Sequence, residues 1–230
     1  MPYFDYGYFK YSNASLKKNN PKKERLNLSK KRGIINRIKA NQFSKEFYDG
    51  NRLNGYGGFN YDGRWKIFLK KIIKKYKLDK NSKVLDIGCK KGFFMKDLKD
   101  MIPGIKIHGI EDHKYPIKNS MNEVKSKIKY IETFTKINFR KNEFDFVHAH
   151  NSIYIYNLRD MIKIIKIIKD ISKKSHITIP AYINDLERLK FLKWTLTGTT
   201  ILHQKEWKKM FKYLGYKGDY YFSGAKSFGL

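Results

Sequence analysis

The chain has 230 residues, enough for one α/β domain with a buried core, and 41% hydrophobic and 16% aromatic residues exclude wholesale disorder. Fifty basic against 21 acidic residues give a formal net charge of +29, but lysine supplies most of it and is spread along the whole length. That pattern favours loose attraction to polyanions over a specific nucleic-acid surface. One cysteine, Cys89, excludes an intrachain disulfide or a cysteine zinc cluster, no metal site is expected, and no run of about 18 apolar residues marks a transmembrane helix.

Residues 1 to about 45 form a basic, asparagine-rich and aromatic extension, with a helix expected over Leu28–Ala40 and a dense basic stretch from Lys17 to Lys39. The opening Met1-Pro-Tyr-Phe-Asp-Tyr6 is polar and aromatic rather than an apolar signal segment, so the expected location is cytoplasmic. Tyr48–Trp65 carries five glycines among aromatic residues, which excludes a helix or a regular strand. Glycine hinges beside Tyr56 and Trp65 suit a lid that closes over a ligand and excludes water. Trp65, Phe68, Leu69, Ile72, Ile73 and Tyr76 then recur at helical spacing and predict an amphipathic helix. The reading therefore divides the chain into an extension with its lid, 1–64, and a main domain, 65–230.

Lys83-Val-Leu-Asp-Ile-Gly-Cys-Lys-Lys-Gly-Phe-Phe94 is the most informative stretch. Val84, Leu85 and Ile87 read as a buried strand of an open α/β sheet, whose ligands sit beyond the carboxyl ends of its strands. Gly88 allows a sharp turn and close approach to a ligand. The helix that follows presents free N–H groups and the positive end of its dipole. A dinucleotide-binding turn would want glycine at 88, 90 and 93, but 90 is lysine and 93 is phenylalanine, and no P-loop is present. The next strand, Ile105–Ile110, ends in Glu111-Asp112, at the spacing where such domains place a carboxylate on ribose hydroxyls.

Further strands are expected near 128–132, 144–149, 175–180 and 216–223, with helices near 91–101, 115–126, 158–173, 183–194 and 204–214. This alternation predicts a doubly wound, mainly parallel sheet.

From about 65 to 223 the chain resembles class I methyltransferases dependent on S-adenosylmethionine (SAM). Asn54–Trp65, Trp194–Trp207 and Gly215–Phe222 carry a narrower likeness to bacterial methyltransferase-domain proteins associated with surface-polysaccharide biosynthesis. The resemblance implies a Rossmann-like, seven-stranded sheet with an antiparallel C-terminal strand and SAM as cofactor. It implies a cofactor site of Asp86, Gly88, Cys89, Lys90, Gly92, Glu111, Asp112 and His150, with Thr133 and Phe134 at the adenine. His150, His203 and Tyr154 are candidates for the proton-handling group, since a hydroxyl acceptor must lose a proton and histidine titrates near neutral pH. Tyr56, Trp65, Asn151, Trp194 and His203 are candidates for the acceptor wall.

The fourth strand leads into His150-Asn151-Ser152 rather than the Asn/Asp-Pro-Pro-aromatic run of base amino methyltransferases, and Cys89 lies in the wrong motif for a cytosine C5 enzyme. The expected acceptor is therefore a hydroxyl of a polar small molecule, with a nucleotide-sugar foremost. An RNA methyltransferase using the Lys17–Lys39 segment is the first alternative. A degenerate SAM-binding or noncatalytic protein is the second, because Lys90 stands where the family has a small residue.

Overall fold

The computed structural model describes residues 3–8, 21–228 and 230. Seven strands form one sheet: β1 (Lys83–Ile87), β2 (Lys106–Glu111), β3 (Ile128–Tyr130), β4 (Phe146–His150), β5 (Ser175–Tyr182), β6 (Leu202–His203) and β7 (Asp219–Ser223). The order runs β3-β2-β1-β4-β5, and the far edge of β5 is shared by β7 along His176–Pro180 and by β6 along Ala181–Tyr182.

Every pairing is parallel, including β7 with β5. The expectation of an antiparallel C-terminal strand is thus corrected. Helix α10 (Gln204–Tyr213) explains the difference. It crosses back along the sheet, anchored by buried Trp207 and Phe211 and by a 3.1 Å bond from the Trp207 indole N–H to the Pro180 carbonyl. A crossover of that kind returns the chain to the end at which β5 began, and so delivers a parallel neighbour.

Side chains alternate along the strands and build two apolar layers. Leu85, Ile87, Val147, Ala149, Ile177 and Ile179 face α8 (Leu158–Ile171), through its Met161, Ile164, Ile165 and Ile168. Val84, Ile107 and Phe146 pack with α4 (Trp65–Tyr76) and α5 (Phe93–Met101) through Phe68, Leu69, Ile72, Met95 and Leu98. Asp86, His148, His150, His176 and Thr178 alternate with the first set along the strands. They make the second face polar toward its carboxyl end.

Two helices break where the sequence reading had one. Gly33 separates α1 (Pro21–Lys31) from α2 (Ile34–Ala40). The region 115–126 splits into α6 (Lys114–Lys118) and α7 (Asn122–Lys125), where the Ser120 hydroxyl takes the Ile117 carbonyl at 2.8 Å and so competes with the helix. A short helix α3 (Lys45–Tyr48) precedes the lid, and α9 (Asp185–Trp194) follows β5. The part of the basic stretch before Pro21 lies outside the described residues. Among the described residues no helix is long and apolar enough to cross a membrane.

Candidate active site

The turn after β1 is stitched to the end of β2. The N–H groups of Gly88 and Cys89 both donate to the Ile110 carbonyl, at 2.9 and 3.2 Å, and that of Lys90 donates to the Glu111 carboxylate at 2.8 Å. Gly88 holds φ +70° and Gly92 φ +77°. A Cβ at 88 would stand 2.3 Å from the Ser152 Cβ, and one at 92 would stand 2.8 Å from the Val124 Cγ2. Conformation and space both demand glycine there. Lys90 also has positive φ, +53°, which costs a residue with a side chain about 1–2 kcal/mol.

Over the carboxyl ends of β1 and β4 lies a cavity of about 590 Å³, a size usual for small-molecule sites. Of the residues expected at the cofactor, Asp86, Gly88, Cys89, Lys90 and His150 line it. The expected acceptor-side residues Tyr56, Trp65, Asn151, Tyr154 and Trp194 line it as well.

Gly92, Glu111, Asp112, Thr133 and Phe134 lie outside its walls. Glu111 is buried, with one oxygen taken by the Lys90 N–H and the other 3.1 Å from Nδ1 of His113. Asp112 accepts from the Tyr156 hydroxyl at 2.5 Å, and that hydroxyl accepts from the Phe134 N–H at 3.0 Å. Phe134 is buried against the Tyr156 ring, and Thr133 caps the single turn Phe134–Lys136. Burial raises the Glu111 carboxyl above its ordinary range. Burial alone would lower His113, but its bonds to Asp112 and Glu111 outweigh that and raise it to about 9. His203 sits away from the cavity as the cap of α10. Its Nδ1 accepts from the Lys205 N–H at 3.0 Å, and its Nε2 lies 2.8 Å from the Ile183 carbonyl. Trp207 belongs to the core.

Residues 3–8 supply a part of the site that sequence reading missed. Phe4 pairs with β7 through Tyr220, and its carbonyl lies 2.9 Å from Nε2 of His176. Tyr6 is buried, with its hydroxyl 2.5 Å from Nδ1 of His150 and 3.3 Å from the Thr178 hydroxyl. The Tyr8 and His150 ring centres are 4.5 Å apart. Burial drives the His150 imidazole well below the ordinary histidine range, and the charges of His148, Lys90 and His176 push the same way. The neighbouring His148 has Nδ1 3.0 Å from Asp86 and lies face to face with Phe94. Its Nε2 is buried without a hydrogen-bond partner among the described residues. Asp97, also on the cavity wall, accepts from the Tyr61 hydroxyl at 2.5 Å through one oxygen, and its other oxygen is likewise buried and unpartnered.

The glycine-rich loop 49–64, the expected lid, is fastened to the glycine turn. Buried Lys91 binds both oxygens of Asp49, at 2.7 and 2.8 Å, and the Phe59 carbonyl at 3.0 Å. The Tyr115 hydroxyl also donates to Asp49, at 2.8 Å. Tyr56 stacks on Tyr48, and burial raises its phenol above the ordinary range. Tyr154 is pushed up to about 12 by burial. Arginines 25, 32 and 52, which no motif singled out, line the same cavity beside Trp194.

Comparison with known proteins agrees with this geometry. The family model described as "Methyltransferase domain" matches residues 78–218. Among solved structures, a SAM-dependent methyltransferase from Archaeoglobus fulgidus aligns at 19% identity with a TM-score of 0.50, covering 72% of this chain and 71% of that one. The YcgJ protein of Bacillus subtilis aligns at 16% identity and a TM-score of 0.50, over 64% of this chain and 66% of its own, just under two thirds. The [4+2]-cyclase SpnF aligns at 15% identity and a TM-score of 0.51, over 66% of this chain and 56% of its own. At these identities the likeness is one of fold, and the cyclase shows that one fold hosts different reactions. No curated protein matches the chain.

Proposed function

This chain belongs to the methyltransferase-domain family, and we propose that it depends on SAM and methylates a hydroxyl of a polar small molecule, a sugar or nucleotide-sugar foremost. One observation carries the reading. The glycine turn of β1, His150 at the end of β4 and the aromatic lid are walls of a single cavity.

The residues present fit the cofactor. The turn, the Lys90 ammonium and the amino end of α5 suit its carboxylate. The unpartnered oxygen of Asp97 suits its ammonium. Glu111 and Phe134, which the resemblance assigns to its ribose and base, stand behind the cavity wall against His113 and Tyr156. When bound, SAM supplies a methyl group on a sulfonium that is a good leaving group.

What remains for the protein is alignment and removal of one proton. His150 is the residue assigned to that proton. Its ring is neutral at physiological pH, and Tyr6 fixes its orientation. With the Nδ1 proton donated to the Tyr6 oxygen and the Tyr6 proton donated to Thr178, Nε2 carries the lone pair that accepts. Tyr56, Trp65 and Trp194 supply apolar faces suited to a sugar ring and exclude water. Support for the sugar class and for a role in surface-polysaccharide synthesis comes from the likeness of Asn54–Trp65 and Trp194–Trp207 to proteins with that association.

Calorimetric titration with SAM and S-adenosylhomocysteine, followed by a mass-spectrometric screen of nucleotide-sugars, tests the proposal. The expected result is micromolar cofactor binding, turnover of an acceptor, and loss of turnover by about 100-fold in His150→Gln at unchanged SAM affinity. Absence of SAM binding by the wild-type protein would sink the reading.

A further inference from the structure

Two helices beside the cavity carry their aliphatic residues outward. Helix α2 turns Ala40 and Asn36 inward, with Asn36 donating to the Asn54 side chain at 2.9 Å, and leaves Ile34, Ile35 and Ile38 outside. Helix α9 buries Phe191 and leaves Leu186, Leu189 and Leu192 outside, with Ile183 just before it. At 3.6 residues per turn, Leu186, Leu189 and Lys193 fall on the side of α9 opposite Phe191. The usual order of an amphipathic surface helix is reversed. These seven side chains are 49–68% exposed, and no other leucine or isoleucine among the described residues exceeds 47%.

The two faces adjoin. Arg37 of α2 donates through Nη2 to the Leu192 carbonyl at 2.6 Å, and Asn41, which ends α2, donates to the Leu196 carbonyl at 3.1 Å. Helix α1 packs against α9 from the other side.

Basic residues surround this apolar face. Lys30, Lys31, Lys39, Arg188, Lys190 and Lys193 lie on the same three helices, and none forms an ion pair among the described residues. The acidic residues of α9 are Asp185 and Glu187, and Glu187 is held by the Ile183 N–H at 3.0 Å. The face is therefore apolar at its centre and cationic around it.

That combination fits an anionic lipid surface, where acyl chains receive the aliphatic groups and headgroups meet the cations. A nucleic acid would leave seven aliphatic side chains in water. A second copy of the chain would set the basic ring against itself, because a twofold interface matches each patch with its own image. Protein interfaces centre on buried aromatic anchors, and the exposed residues of this face are aliphatic.

We propose that α2 and α9 form a docking face for anionic phospholipid, which rests on the bilayer surface without crossing it. Arg32, just before α2, and Trp194, the last residue of α9, both line the cavity. A docked protein would hold the cavity beside the membrane plane. Docking requires nothing of the acceptor reading, and its test reads no turnover.

The full-length protein is sedimented, at one fixed ionic strength, with vesicles of phosphatidylglycerol and phosphatidylcholine in equal parts, and with vesicles of phosphatidylcholine alone. Wild type is compared with Leu186→Gln/Leu189→Gln and with Lys190→Gln/Lys193→Gln. The control, Lys74→Gln/Lys77→Gln, removes the same charge at the opposite ends of the strands, where the neighbouring Tyr76 meets Asp219 at the start of β7. All six positions are on the surface, and circular dichroism checks that each variant folds. Wild type should bind the mixed vesicles at least about tenfold more tightly than phosphatidylcholine. The leucine pair and the Lys190/Lys193 pair should each weaken that binding by about tenfold or more, and the control pair by no more than about twofold.

Unchanged binding in the leucine variant would mean that the aliphatic face stays out of the bilayer. Equal losses in the two lysine variants would mean diffuse attraction by the net charge. Either result overturns the docking face. So does a wild type that ignores both kinds of vesicle; if light scattering then shows a dimer that the leucine variant loses, the face belongs to a second copy instead.

Discussion

The Tyr6 hydroxyl lies 2.5 Å from Nδ1 of His150, joining two residues 144 positions apart and closing the site from the amino-terminal side. The bond sets the imidazole in place and joins residues 3–8 to the proposed site.

Tyr6→Phe keeps the ring packing and removes only the hydroxyl. The expected cost is about 1–2 kcal/mol in urea unfolding, as for one buried hydrogen bond lost. Turnover should fall roughly tenfold with SAM affinity retained, because His150 loses its orientation but not its place. Unchanged turnover would show that His150 acts without Tyr6 or does not act at all.

Stability should pass through a maximum near pH 6.5–7. Burial depresses His150 below its ordinary value, and His176 to about 3. Below pH 6.5 the unfolded chain binds protons that the folded one refuses, so stability falls as pH falls. By pH 5 His176 should account for about 2 kcal/mol, and His150 acts in the same direction. His113 has the opposite sign. Its value is raised to about 9, so its contribution is full below pH 6.5 and is lost as pH rises to 9. Urea midpoints from pH 5 to 9 would show the dome, and a flat profile would contradict the burial of these rings.

Gly88→Ala should destabilise by about 3 kcal/mol or more, from backbone strain and overpacking together. The added methyl meets the Ser152 Cβ. The double variant Gly88→Ala/Ser152→Gly should recover the overpacking share but not the strain at φ +70°. Equal stability of the single and double variants would mean that Ser152 yields freely.

Lys91→Met should cost about 3 kcal/mol by leaving Asp49 without its buried cation. The Phe59 carbonyl and the Asp49 carboxylate both lose a donor, so amide exchange over residues 49–64 should speed up more than exchange in β1 or β4. Uniform acceleration across the chain would argue against a separately opening lid.

Lys90→Gly should stabilise the fold by about 1 kcal/mol through relief of its positive φ, a rise of about 2–4 °C in Tm. SAM should bind several-fold more weakly if the ammonium holds its carboxylate. Tighter binding would mean that the side chain crowds the cofactor instead.

Local sequence determined the glycine turn, the alternation of strands and helices, the irregular glycine-rich loop before α4 and the acidic end of β2. Each follows from spacing within about twenty residues, whether a run of apolar residues, a glycine that permits positive φ or a charged residue after a strand. Lys90 shows the same locality, because its place between two glycines already marked it as an oddity of the turn.

Tertiary structure alone decided the rest. The direction of β7 depends on how α10 crosses the sheet, and nothing in Asp219–Ser223 states it. Glu111 and Phe134 read as cofactor contacts from their strand ends, yet their partners His113 and Tyr156 depend on packing. Tyr6 and Arg32 gained their positions by meeting His150 and Trp194 across 144 and 162 positions. Such contacts have no period in the sequence, because they arise only when the folded sheet brings distant segments to the same end.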